Sequence, residues 1–260
     1  MTKIEIFLAG SPMRPRLGFQ KGFSLIELMI AMAIGLFLVA VVGVLFVNSK
    51  VTYLAQDASS RVQENSRYAA ELFGRQVRTA GFHEIRFVPL PATADLFAPA
   101  FSFVFGGTAV AAADGASNAP DAITLSFDAT TDCLGQAVTT TAINQFRINA
   151  QRQLECESFG SNGASLGVGV ILDDVEDMQV LFGQPAGSNF TYVPAASAAM
   201  GTVQGVRICL ILRALADSDA RATGSQQQTY VDCQGVSRTA ADGYLRRVMT
   251  MTLDLRNRLP

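Results

Sequence analysis

The chain has 260 residues, of which 49% are hydrophobic and 16% charged, with a formal charge of −2 at neutral pH. So weak a charge excludes broad neutralisation of nucleic-acid phosphates, and a single histidine removes most schemes in which a base activates a nucleophile. The composition instead suits a membrane-anchored, exported chain.

The first 22 residues carry Lys3, Arg14, Arg16 and Lys21 against one acid, Glu5. They meet an apolar run, residues 23–47, whose only ionisable side chain is Glu27. At about 1.5 Å per residue, such a helix crosses the roughly 30 Å hydrocarbon core of a bilayer. A secretory signal peptide has only about 7–15 apolar residues with its cleavage site after them. A processing signal therefore falls before this run, and no second apolar stretch approaches its length. The basic leader is expected to stay cytoplasmic and the remainder to be translocated. Without the leader, 16 basic and 21 acidic residues leave a formal charge of −5. Met13 offers a shorter leader, 13–22, as an alternative start. A carboxylate at membrane depth costs about 2.5–3.5 kcal/mol, so Glu27 needs a cationic partner or must snorkel to the interface.

Beyond Val47 the helical pattern continues through residues 48–81. Val51, Leu54, Ala55, Ala58, Val62, Ala69, Leu72, Phe73, Val77 and Ala80 recur at spacings of three and four. No proline interrupts residues 23–87, and Gly81 is placed to end the helix in a left-handed cap.

The remainder reads as β structure. Strands are expected at 123–128, around Phe146 and Ile148, at 178–182, and at 249–255. Residues 206–212 are apolar on both faces apart from Arg207, as in a central strand. The small-residue stretches 106–120, 159–169 and 183–202 read as surface loops. An α+β domain follows, one long helix against an antiparallel sheet.

Cys133, Cys156, Cys209 and Cys233 all lie beyond the membrane run, where an even count suggests two disulfides. Four cysteines allow three connectivities, and the spacings favour the local pairs Cys133–Cys156 and Cys209–Cys233. Each would stabilise by roughly 3–4 kcal/mol in the chain-entropy model. No spacing resembles Cys-x-x-Cys, so no metal or other cofactor is expected. Catalytic signatures are missing: there is no Gly-x-Ser-x-Gly, His-Glu-x-x-His or phosphate loop. His83 reads as a polar group at the helix end. Asp173, Asp174, Glu176 and Asp177 read as a solvated turn before a strand, and Arg246, Arg247, Arg256 and Arg258 as the solvent side and end of the last one.

The junction Gly22-Phe23-Ser24-Leu25-Ile26-Glu27-Leu28 closely resembles the class III signal of type IV pilins and the related pseudopilins of type II secretion. The resemblance implies residues 1–22 as a leader cut after Gly22 by prepilin peptidase, with Phe23 becoming the N-methylated terminus. It implies 23–47 as the transmembrane helix, 48–81 as its amphipathic continuation and 82–260 as a β-rich pilin head. It also implies that Glu27 meets the terminal amine of a neighbouring subunit. Ser60 to Ala69, Leu72 to Phe82, Val175 to Gly183, Val206-Arg207-Ile208 and Leu255-Arg256-Asn257 look like the PilW subfamily of minor pilins. What this implies is a non-enzymatic subunit of the complex that primes type IV pilus assembly and caps the filament. Its expected partners are other minor pilins, the major pilin, the assembly platform and the inner membrane, with its head in the periplasm and then at the cell surface. The alternatives from this family are a pseudopilin of type II secretion and a DNA-uptake pilin, although nucleic acid is not the favoured partner.

Overall fold

A computed structural model describes residues 22–82, 110–116, 119–139, 141–215 and 227–257. His83 and Arg258 lie outside them. The chain divides into two compact units, residues 1–49 and 50–260. Helix α1, Leu25–Thr79, is 55 residues long.

In the second unit the helix buries one face. Ala58, Val62, Ala69, Leu72, Phe73 and Val77 are buried at the three-and-four spacing that the sequence sets. Ala55 is exposed instead, whereas Ser66 and Gln76 lie on the buried face. The hydroxyl of Ser66 is satisfied within the helix, donating to the Val62 carbonyl at 2.6 Å. Gly81, with φ 77°, ends the helix in the left-handed region. Its N–H donates to the Ser126 carbonyl at 2.8 Å, and the Asp128 N–H donates to the Phe82 carbonyl at 2.9 Å. Asn257 Nδ2 caps the helix from the far end of the chain, donating to the Arg78 carbonyl at 2.9 Å.

All strand pairs are antiparallel and fall into three sheets among the described residues, where the sequence reading expected one. The first orders β1 (Val110–Ala113), β2 (Ala122–Asp128), β3 (Thr141–Ile148), β4 (Leu154–Phe159) and β5 (Ser165–Leu172) consecutively. The second comprises β6 (Val175–Ala186), β7 (Asn189–Val193), β8 (Gly205–Leu215) and β11 (Tyr244–Asp254), in the order β11-β8-β6-β7. A ribbon of β9 (Gln228–Val231) and β10 (Ser237–Ala240) completes the set. β8 is central, and Val206, Ile208, Leu210 and Leu212 are buried. The core gathers Phe73 from the helix, Ile123, Leu125 and Phe146 from the first sheet, and Met178, Phe182, Ile208 and Leu210 from the second. Phe73 meets Phe146 edge-on at 5.4 Å between ring centroids.

Three expectations need correction. The small-residue stretches are not all loops: they supply β1, part of β5, the end of β6, and β7. In β5 the glycines leave room for a turn packed on the strand, since a Cβ on Gly169 would stand 2.7 Å from Leu134 Cδ2. Secondly, the acidic cluster is more than a solvated turn. Glu176 accepts from Arg246 Nε at 2.7 Å and pairs with Arg152 at 3.1 Å, and Asp174 pairs with Arg213 at 3.2 Å. Thirdly, Arg246 does not face solvent: its side chain is only 3% exposed. Its guanidinium forks onto Asp242, with Nη1 at 2.7 Å and Nη2 at 2.5 Å from the two oxygens. A guanidinium can occupy this depth because two carboxylates satisfy it.

The hydrogen bond from Arg246 holds the Asp242 carboxyl down at about 2, against an ordinary 3.8. A depressed carboxyl stabilises the fold above its ordinary pKa, and that contribution is lost as the pH falls through the folded value. Asp242→Asn is therefore expected to be less stable than the wild-type chain at pH 7. The gap should close between about pH 4 and pH 2, as read by urea unfolding of both proteins at stepped pH. A gap independent of pH would contradict the pairing.

Candidate processing and assembly site

Residues 22–24 are not helical, and the reason is local. Ser24 caps the helix: its Oγ accepts from the Glu27 N–H at 3.2 Å, and its carbonyl accepts from the Leu28 N–H at 3.2 Å. The order Ser24-x-x-Glu27 has the composition of a capping box, an N-terminus signal that the sequence reading missed although it was in view. The Gly22–Phe23 bond thus lies outside the helix. Phe23 is 84% exposed, and no basic side chain among the described residues pairs with Glu27.

The following helix is apolar and uncovered. An 18-residue window reaches a mean hydropathy of 3.0 with none of it buried within the chain, and among the described residues it is the one helix long and apolar enough to cross a membrane. Ile26, Leu28, Met29, Phe37 and Phe46 are each more than half exposed. Exposing such a surface to water is strongly unfavourable, so lipid or other chains must cover it.

In the head, the structure joins Cys133 to Cys156 and Cys209 to Cys233, with Cα separations of 6.5 and 5.7 Å. Both bridges start from the same kind of turn, one at residues 132–135 and one at residues 232–235. In Asp132-Cys133-Leu134-Gly135, Asp132 Oδ1 accepts from the Leu134 and Gln136 N–H groups, each at 2.8 Å. In Asp232-Cys233-Gln234-Gly235, Asp232 Oδ1 accepts from the Gln234 N–H at 3.0 Å and the Val236 N–H at 2.7 Å. Gly135 and Gly235 take φ values of 76° and 81°, which a side chain would strain. Each turn presents its cysteine to a strand, β4 or β8. The repeated Asp-Cys-x-Gly was legible in the sequence and was missed, because the cysteines were read by spacing alone.

The two turns differ in one atom's surroundings. Asp232 Oδ2 receives Arg238 Nε at 2.8 Å. Burial opposes ionisation of Asp232, but Arg238 and the turn N–H groups outweigh it and hold the carboxyl below its usual range. Asp132 Oδ2 is buried with no hydrogen-bond partner. The Cys133 turn compensates elsewhere: its N–H donates to Asn144 Oδ1 at 3.2 Å, and Asn144 Nδ2 reaches Gln76 Oε1 on α1 at 3.4 Å.

Comparison with known proteins gives two family matches. Residues 18–43 match the prokaryotic N-terminal methylation motif, and residues 137–257 match type IV pilus-assembly protein W. No curated protein matches the chain. Among solved structures, a type IV-like pilin from Thermus thermophilus is 14% identical with a TM-score of 0.46, covering 76% of this chain and 96% of its own. A binary complex of two pseudopilins from the type 2 secretion system of Vibrio vulnificus is 13% identical with a TM-score of 0.38, covering 78% and 95%. The GspK–GspI–GspJ complex from enterotoxigenic Escherichia coli is 10% identical with a TM-score of 0.34, covering 72% and 96%.

If the twin turns are latches for their bridges, Asp232→Asn should cost more stability than Asp132→Asn, because only Asp232 carries a charge-assisted bond to arginine. Replacing either cysteine pair by alanine is expected to lower stability by about 2–5 kcal/mol. Chemical denaturation of the four variants, with non-reducing peptide mapping of the two aspartate variants, measures both effects. Free thiols in the wild-type chain would contradict the bridges.

Proposed function

We infer that this chain, a type IV pilin-like protein whose family is that of type IV pilus-assembly protein W, works as a minor pilin: a membrane-anchored structural subunit that joins other pilins. The observation that carries this is the order of the two matches. The methylation motif lies over the junction and the uncovered apolar helix, and the pilus-assembly match lies over the head.

Several finer steps belong to the same proposal. Prepilin peptidase cuts after Gly22, leaving Phe23 as the methylated terminus. The cap at Ser24 favours this, since it leaves the scissile bond outside the helix and exposed. Residues 23–47 then anchor the subunit in the inner membrane, and two disulfides suit a head exported to an oxidising periplasm. Glu27 supplies the electrostatic contact during assembly. Its carboxylate sits at the edge of an apolar surface with no cation paired to it among the described residues, and a neighbour's terminal amine is the complementary group. With other minor pilins the subunit primes filament growth on the assembly platform and ends at the filament tip, at the cell surface.

Two variants test different steps. Gly22→Val places a branched side chain at the cut and is expected to leave essentially all of the chain as uncut precursor. Intact-mass analysis of wild-type protein should instead give a terminus at Phe23 heavier by one methyl group. A wild-type chain that keeps its leader overturns the reading.

Glu27→Ala removes a cost of about 2.5–3.5 kcal/mol for holding a carboxylate at membrane depth, so processing and membrane level should stay normal. Co-recovery with other pilins and surface filament counts should fall. The fall is expected to be partial, because heads also touch one another. Wild-type values for both would remove the assembly role of Glu27.

A further inference from the structure

β5 closes one side of the first sheet, bonded to β4 and, among the described residues, to no strand on its other side. Leu166, Val168 and Val170 alternate along it and are 46%, 50% and 51% exposed. Gly167 and Gly169 face the other way, toward Leu134. The register against β4 is regular from Gly167 to Val170, with an irregularity at each end of that stretch.

An open edge is a template for another strand, and proteins usually protect it with a charge, a proline or a bulge. β11, at the edge of the second sheet, carries exposed Arg247 and Asp254, whereas β5 has neither a charged residue nor a proline. Its two irregularities confine the open stretch without removing it. On β4 the acids beside the exposed row, Glu155 opposite Val170 and Glu157 opposite Val168, are both bonded to Arg147. The edge is therefore apolar and uncharged over one short regular stretch.

The order of side chains identifies the occupant. Leu166-Gly167-Val168-Gly169-Val170 reads apolar, Gly, Val, Gly, apolar in both directions. An antiparallel copy centred on Val168 sets Val168 against its own counterpart, Leu166 against Val170 and glycine against glycine, so one continuous apolar row crosses the seam. No charge opposes this. Glu157 and its counterpart stand three strand spacings apart, about 14 Å, beyond a screening length of about 8–10 Å. One short strand buries well under the roughly 1,200 Å² of a stable interface, so the pairing is weak between free molecules. Two copies anchored in the same membrane raise each other's local concentration and make it effective.

We propose that β5 is a self-pairing edge, through which two copies of this chain join antiparallel about Val168 into a sheet continuous across both heads. The proposal rests on the membrane-anchored minor-pilin reading for that local concentration and adds an interface to it.

The experiment uses two full-length copies with different affinity tags, expressed together in cells with their pilus partners and extracted from the membrane. One wild-type copy is expected to recover the other. Val168→Lys in both copies, or Val168→Glu in both, places like charges against each other and should lower that recovery about fivefold or more. A copy bearing Val168→Lys with a copy bearing Val168→Glu should restore it, because only a strand paired with itself sets residue 168 against residue 168. Val168 is half exposed, so each variant head is expected to fold, which intact disulfides and an unchanged Tm verify. Should a Val168 variant misfold, Leu166→Glu in one copy and Val170→Lys in the other make the same test at positions that the two-fold opposes. Wild-type copies that fail to recover each other, charged variants that pair as well as wild type, or no restoration in the mixed pair overturn the self-pairing. Loss of a different pilus subunit in place of the second copy also overturns it, since a foreign strand then occupies β5. If the chain is not retained in the membrane or recovers no other pilin, the minor-pilin reading falls. If it is retained and recovers them, and only the copies fail to pair, the self-pairing falls alone.

Discussion

A single helix has to satisfy two environments, and that constraint organises the chain. From Leu25 to Val47 none of the described residues covers the apolar surface. From Ala58 to Val77 one face is fully enclosed by the head. The first part therefore gains its stability from whatever surrounds it, lipid or other subunits, while the second gains it from its own sheets. This is why the sequence changes at about Asn48 from uniform hydrophobicity to a stripe, with no break in the helix.

The head meets the helix with more than apolar contact. Gln76, buried on the helix, reaches Asn144 on β3, and Asn144 receives the N–H of Cys133 in the first Asp-Cys-x-Gly turn. A polar chain thus runs from the helix through the sheet to a disulfide, and it fixes the register of the helix where apolar packing alone would tolerate a slide. Among the described residues the second turn has no such link to the helix. Its aspartate is held by Arg238 and its cysteine by β8, so it secures the ribbon to the central strand of the other sheet.

The legible parts were those with a strong period or a strong local signal. Helix α1 declared itself through the three-and-four spacing from Val51 to Ala80. Strands β2 and β8 did so through alternation or a continuous apolar run, and the junction at Gly22 through a dense motif. Buried Ser66 and Gln76 were hidden because polarity normally marks an exposed face, and only their partners reverse that. β5 was hidden because Gly167 and Gly169 lower strand propensity, and what favours them is the distant turn at Leu134. Arg246 was assigned to solvent because a sequence does not show that Glu176 and Asp242 stand ready to neutralise it.

The cap at the helix end has a mechanical meaning. Asn257 grips the carbonyls of Arg78 and Thr79, while the chain leaving the helix is tied to β2 through Gly81 and Phe82. Residues 79 and 257 are thereby clasped together. Tension delivered along α1 reaches this clasp from two sides at once and passes into β2 as shear across hydrogen bonds loaded in parallel. A head attached by one strand could be peeled open bond by bond; this one has to yield at several points together.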